Sequence, residues 1–427
     1  MKRVRPRVAL STTLLLVALA CAPESHGRLR VSVVGIDGAT WRVIDPLFAR
    51  GELPNLARLV DDGVRARLVS RRPLISPAVW TTIATGVSRL EHRILDFRGP
   101  GGLLVSSRDR RAPALWTLAS RSGLRSAVIG WWATYPAESI DGVIVSDRAL
   151  KTRQKSMRRV TGRASLRGTE VRRLVHPPDA FEAFHELLSA PVPGGDDLED
   201  FDVVATMRLE DATIARSLLA LRGSHGPFDL ELLLLRGVDP VSHHFWQYHE
   251  PDASAYEDAD RPRADEVAQL GATVEDHYRY VDGLLGELRD DGPDRVVLVL
   301  SDHGFEAGYQ GFRAGAVLMG THTSEEAARG ILVAAGGPFR RGIALGEVSI
   351  FDVAPTLLRL LDLPVAETLT GHVLEEALDP GWLGARPAQS VARYQGAPSD
   401  LSDPSGDPRS PAGEAMLLEL RSLGYLE

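Results

Sequence analysis

The side chains best suited to chemistry are acids and imidazoles lying far apart in the chain: Asp37, Asp239 and Asp302, with His243, His303 and His322. Each acid closes an apolar run. Val31–Ile36 leads into Asp37, Leu232–Leu235 into Arg236-Gly237-Val238-Asp239, and Val296–Leu300 into Ser301-Asp302-His303-Gly304. Brought to one edge, three carboxylates repel one another unless a cation sits among them. Asp and neutral imidazole are ordinary ligands for such a cation, zinc included. His243 lies four residues after Asp239, His303 is adjacent to Asp302, and His322 precedes the apolar run Ile331–Ala335. Taken singly, each pair has a bland explanation as a turn or a helix-surface pair. The set of six points to a metal centre. His244 and His249 compete with His243, and the four-residue step favours His243.

Ser76 adds a hydroxyl. In Leu74-Ile75-Ser76-Pro77-Ala78-Val79-Trp80-Thr81-Thr82-Ile83-Ala84-Thr85-Gly86, Ser-Pro marks a helix start and Gly86 a stop. Such a serine is either an N-cap, contributing about 1 kcal/mol, or a nucleophile. The second reading uses the positive field and free N–H groups of a helix N-terminus, where a phosphoryl group is stabilised. A metal ion nearby would favour the alkoxide, as it does hydroxide from bound water.

These residues require a scaffold that delivers strand ends to one edge. The runs Val31–Ile36, Ser126–Gly130, Val143–Val145, Leu232–Leu235, Val296–Leu300 and Ile331–Ala335 lack strict alternation, as strands of a sheet covered on both faces do. Helical patterns lie between them at Pro54–Asp62, at Thr273–Leu288 with its apolar stripe, and at Ala354–Leu361. The alternation predicts an α/β fold, a doubly wound, mostly parallel central sheet with helices on both faces. Ligands of such sheets gather beyond the carboxyl ends of the strands. Trp131, Trp132 and Tyr135, which follow one of these strands, read as core packing rather than as a pocket wall.

Composition narrows the classes. The chain has 427 residues, 44% hydrophobic and 25% charged, with a net charge of -8. This is globular composition with room for a large core. The acidic balance excludes a nucleic-acid-binding role, which needs a basic face. A single cysteine excludes an internal disulfide and a thiolate metal site. That residue, Cys21, follows the basic stretch Lys2–Arg7 and the apolar run Val8–Ala20, which is too short for a bilayer but suits a signal-peptide core. Residues 1–20 thus read as a lipoprotein-type signal peptide with Cys21 lipidated, so the mature protein is expected outside the cytoplasm, periplasmic or on the cell surface, anchored to a membrane. A catalytic domain is expected over residues 28–385, including an insertion or cap at 148–228 that opens with an Arg/Lys-rich stretch. Residues 386–427 are expected to be a flexible tail with a short terminal helix at Ala415–Leu423.

The order Asp37, Ser76, Asp239 with His243, Asp302 with His303, then His322 resembles the alkaline phosphatase superfamily, and within it the type I phosphodiesterase/nucleotide pyrophosphatase group. The carrying motifs are Val34-Gly35-Ile36-Asp37-Gly38, Pro54-Asn55-Leu56, Ser76-Pro77 through Thr85-Gly86 with His92, Gly237-Val238-Asp239-Pro240-Val241-Ser242-His243, Ser301-Asp302-His303-Gly304 and Gly320-Thr321-His322. The resemblance implies two divalent metal ions, usually zinc. It assigns Asp239, His243 and His322 to one, and Asp37, Asp302, His303 and the Ser76 hydroxyl to the other. It implies attack by Ser76 on phosphorus and a phosphoseryl intermediate. The expected substrate is a phosphorylated small molecule, lipid or glycan. Phe97 falls where the nucleotide pyrophosphatases carry a phosphate-binding Asn, and Arg93 and Arg98 read as surface residues. The sulfatase pattern fails, because Ser76 is followed by Pro77-Ala78-Val79-Trp80. Two alternatives stand beside hydrolysis: transfer of a phosphoryl or head group to an alcohol, and a non-catalytic binding role, against which the filled ligand positions argue.

Overall fold

A computed structural model describes residues 27–152, 168–189, 203–290, 292–310, 317–396, 411–422 and 425–426. Among them, nine strands form one sheet in the order β11-β2-β10-β7-β1-β6-β3-β4-β5. These are β1 Arg30–Ile36, β2 Gly63–Val69, β3 Ser126–Ile129, β4 Gly142–Val145, β5 Val175–His176, β6 Leu230–Leu235, β7 Arg295–Leu300, β10 Arg329–Gly336 and β11 Ile343–Ser349. A separate hairpin joins β8 Glu306–Gln310 to β9 Val317–Thr321.

The sheet explains the apolar runs. Along β1, Val31 and Val33 enter one core cluster while Val34 and Ile36 enter the other. Both faces are covered, so both parities of the strand must be apolar. β1 lies between β6 and β7 and is parallel to both, with Ile36 opposite Leu235 and Gly35 opposite Leu300. That register sets the carboxyl ends of the three strands level. β10 runs antiparallel to β7 and β2, and β5 antiparallel to β4. The run Ile331–Ala335 is therefore a strand of this sheet but not a parallel one, because an apolar run carries no information about direction.

Residues 1–26, with the signal segment and Cys21, lie outside the described residues. No helix among the described residues is long and apolar enough to cross a membrane. Within 148–228, β5 joins the main sheet, and helix Val203–Ser224 packs on β3 and β6. Much of the expected cap is thus part of the central architecture. Arg148 is buried, donating to the carbonyls of Leu104 (3.0 Å) and Val105 (3.1 Å) over the Tyr135 ring. Residues 153–167 and 190–202 are outside the described set. In the tail, helix Pro411–Ser422 docks onto the body, with Met416 and Leu420 in the main core cluster.

Candidate active site

Asp37 sits at the end of β1, where Gly38 turns the chain with φ +77. A Cβ at Gly38 would lie 2.5 Å from the Phe305 ring, so the turn requires glycine. Asp302 follows β7 two residues on. Ser301 ties the two strand ends together, its Oγ accepting from the Ala39 N–H (2.8 Å) and donating to the His303 carbonyl (2.8 Å). Gly38 N–H also donates to Asp302 Oδ1 (3.3 Å). Asp239 lies in the first turn of helix Val238–His249, the favourable end for a negative charge. His243 is one turn further along the same face. His322 arrives from the end of the β8–β9 hairpin.

These side chains converge. In one group Asp239, His243 and His322 present ligand atoms within 4.8 Å of one another, and in a second group Asp37, Asp302 and His303 do the same. His303 Nε2 stands 3.5 Å from Asp37 Oδ1, 3.5 Å from Asp302 Oδ2 and 3.7 Å from Asp239 Oδ1, so the groups adjoin. The His303 and His322 rings stack at 4.1 Å. Phe305 backs the three imidazoles, its ring 4.8 Å from that of His243.

The donor set fits metal ions. His243 Nδ1 pairs with the Gly320 carbonyl at 2.7 Å and His303 Nδ1 with the Gly304 carbonyl at 3.1 Å. A carbonyl accepts only, so each Nδ1 carries the proton and each Nε2 keeps its lone pair, the arrangement of a metal-ligating histidine. Both Nε2 atoms, together with Asp239 Oδ1 and Asp302 Oδ2, are buried without a hydrogen-bond partner. Buried polar atoms are normally satisfied. Burial, and then repulsion by Asp302 on Asp37 and by Asp37 on Asp239, push these two carboxyls well above the usual carboxylate range, and burial first pushes Asp302 up to about 8. Burial holds His303 down at about 4 and His243 and His322 well below their ordinary value. Carboxyls that resist ionisation beside unprotonated imidazoles form a cage that a cation would relieve.

Ser76 opens helix Ser76–Thr85. Ile75, not Ser76, is the N-cap, and no side chain caps the helix. The hydroxyl is therefore not consumed by capping; its Oγ faces Asp37 Oδ1 at 3.4 Å. Trp80 of the same helix packs onto β1 at Gly35. At the far end, Gly86 stops the helix in the left-handed conformation, and His92 accepts from Ile94 N–H and donates Nε2–H to Thr82 Oγ1 (3.0 Å). Burial keeps His92 neutral by lowering its pKa to about 3, so its role in the motif is to brace the Ser76 helix.

A model of the type I phosphodiesterase / nucleotide pyrophosphatase family matches residues 31–336, a span that contains all seven of these side chains. The chain belongs to this family. It is accordingly a metal-dependent hydrolase of phosphoric ester bonds. Among solved structures, human ectonucleotide pyrophosphatase/phosphodiesterase 5 is 14% identical with a TM-score of 0.48, covering 82% of this chain and 100% of that one. A 2-O GAG sulfatase is 12% identical with a TM-score of 0.53, covering 82% and 74%. The phosphonate monoester hydrolase from Silicibacter pomeroyi is 17% identical with a TM-score of 0.47, covering 86% and 78%. The sulfatase likeness supports the shared fold. No curated protein matches in sequence.

The phosphodiesterase cavity over Ser76 adds residues that sequence reasoning left unassigned. Phe97 and Trp132 form one wall, their rings T-shaped at 5.5 Å. Of the aromatic trio, Trp131 and Tyr135 are core residues, and Trp132 reaches the cavity. Arg93 is exposed. The cation lining the cavity is Arg236, stacked over Trp132 at 5.2 Å and paired with Glu210 at 3.4 Å. Its signal was its place at the end of β6, inside the motif that supplies Asp239. Tyr425, whose hydroxyl donates to Asp239 Oδ2, had no sequence signal.

Asp211 holds the turn that carries both Arg236 and Asp239. Its carboxylate accepts from the N–H groups of Arg236 (2.9 Å) and Gly237 (3.2 Å) and faces His277 Nε2 at 3.3 Å, fully buried. A Cβ at Gly237 would lie 2.4 Å from Asp211 and His277 atoms, so backbone and pair interlock. Asp211→Ala is expected to lower metal affinity and kcat/KM by about 10–100-fold with circular dichroism unchanged. Wild-type values for both would show that the pair does not position the turn.

Proposed function

We propose that this phosphodiesterase is an extracytoplasmic, lipid-anchored enzyme that holds two divalent ions, zinc by ligand type, and acts through a phosphoseryl intermediate on Ser76. The carrying observation is the placement of an uncapped helix-terminal hydroxyl, 3.4 Å from Asp37, against two adjoining groups of buried, unpartnered ligand atoms. Asp239, His243 and His322 would hold one ion; Asp37, Asp302, His303 and Ser76 Oγ the other. When bound, the ions supply the charge that lowers the hydroxyl pKa and offsets the negative charge of the departing oxygen.

The chain's own part is positioning. At the N-terminus of helix Ser76–Thr85 Pro77 carries no N–H and the N–H groups of Ala78 and Val79 bond to the Ile75 carbonyl, so the helix offers phosphoryl oxygens the positive end of its dipole. Arg236 is placed to take a further phosphoryl oxygen, in the absence of the family's asparagine at Phe97. Ser76 Oγ forms a bond to phosphorus as the bond to the leaving alcohol breaks on the far side. Water then cleaves the Oγ–P bond and regenerates the hydroxyl. Phe97 and Trp132 give that space an apolar wall. The substrate class is an ester of phosphate borne by a small molecule, lipid or glycan.

Bis(4-nitrophenyl) phosphate should be hydrolysed with release of nitrophenolate, and faster than the monoester. Turnover of neither compound by metal-supplemented protein would contradict the reading. For the anchor, the mature form should begin at a lipid-modified Cys21, readable by mass spectrometry of the membrane fraction. An unmodified, soluble mature form would refute that part.

A further inference from the structure

We propose that Tyr425 is a specificity gate: its phenol occupies the leaving-group side of the site, so that esters with bulky leaving groups bind only by displacing it. This rests on the reading of Ser76 as nucleophile. On that reading Ser76 attacks from beside the Asp37, Asp302 and His303 group, and the leaving oxygen would depart on the side of the second group, Asp239, His243 and His322. There the Tyr425 hydroxyl donates to Asp239 Oδ2, and the ring lies 5.3 Å from that of His243 and 5.6 Å from that of Phe97. Tyr425 lines the cavity that also holds Ser76, Trp132 and Arg236, so its ring takes up room beside the nucleophile. With Tyr425 in place, the side of the cavity next to Asp239 and His243 is taken by its ring.

The gate has a fixed base. Met416 and Leu420 of helix Pro411–Ser422 are buried in the main core, and Ala412 in the second cluster. The Tyr425 N–H donates to the Leu420 carbonyl at 2.8 Å, which aims the ring back over the site. Tyr425 itself is only half-buried. Its displacement breaks one ring contact set and one hydroxyl bond while the helix stays. The apparent affinity for a bulky ester is then reduced by the fraction of molecules in which the ring is away.

The test compares Tyr425→Ala and Tyr425→Phe, each with native Ser76 and in a Ser76→Ala background, using full-length metal-loaded protein. With native Ser76, Tyr425→Ala should raise kcat/KM for bis(4-nitrophenyl) phosphate about ten-fold or more. In the Ser76→Ala background, calorimetric affinity for the same diester should rise by a similar factor, and inorganic phosphate, which needs no leaving-group space, should change less than about three-fold. Tyr425→Phe, which keeps the ring and loses the hydroxyl, should fall between. In the Ser76→Ala protein, diester binding should shift the ring NMR signals of Tyr425 away from their values beside His243 and Phe97. Diester affinity unchanged or weakened in Tyr425→Ala would overturn the gate, as would an equal gain for phosphate. If the wild type turns over no ester, the proposed function fails, and the binding and ring-signal readouts still decide the gate.

Discussion

Ser76→Ala is expected to lower kcat for phosphate esters by at least about 10³-fold, since it removes the atom that bonds to phosphorus. The fold should be unaffected. Ser76 Oγ caps no helix, and among the described residues its one hydrogen bond is the long contact to Asp37, so its loss should change stability by no more than about 1 kcal/mol. Ser76→Thr keeps a hydroxyl at the same place and should retain turnover well above the alanine variant. Denaturation midpoints and initial rates on a diester separate the two effects. An alanine variant of near wild-type rate would remove Ser76 from the chemistry.

Stripping the protein with a chelator is the second large effect. Activity should fall to background and return with added divalent metal. Each ion that binds only the folded chain contributes about 4 kcal/mol when free metal is about 1,000 times its dissociation constant, so the melting temperature should fall sharply. The metal-free protein should also acquire a pH dependence. Asp302 titrates near 8 when folded and near 3.9 unfolded. A group with a raised folded pKa gives stability that is present below the unfolded value and lost as pH climbs through the folded one. The imidazoles act oppositely, their folded pKa values being depressed, but above about pH 7.5 they are neutral in both states. From about pH 7.5 through about 8 the stripped protein should therefore lose stability as pH rises. Metal stabilisation should grow over the same window, because the ligands must be deprotonated. Melting curves with and without chelator at several pH values read both.

The site was legible in the sequence to the extent that its residues obey local rules. Asp37, Asp239 and Asp302 each follow an apolar run, and that run is the sequence trace of a strand buried on both faces. β2 escaped notice because Arg65 and Arg67 interrupt it, and it pairs where one face meets solvent. β5 has two residues, too few for any pattern. Strand direction in β10 is set by the connection from the β8–β9 hairpin and not by side-chain type. Arg236 stood in plain view beside Asp239, but only the packing over Trp132 shows that it faces the cavity. Tyr425 meets Asp239 across 186 positions of the chain, a contact that no spacing rule encodes.

The central claim is that two divalent ions sit among these acids and imidazoles beside one hydroxyl. An anomalous-difference map from crystals grown with zinc tests it most directly. Two strong peaks are expected, one bonded to Asp239, His243 and His322, the other to Asp37, Asp302 and His303 with Ser76 Oγ in reach. A map without density among these side chains, or with zinc held elsewhere on the molecule, would contradict the account.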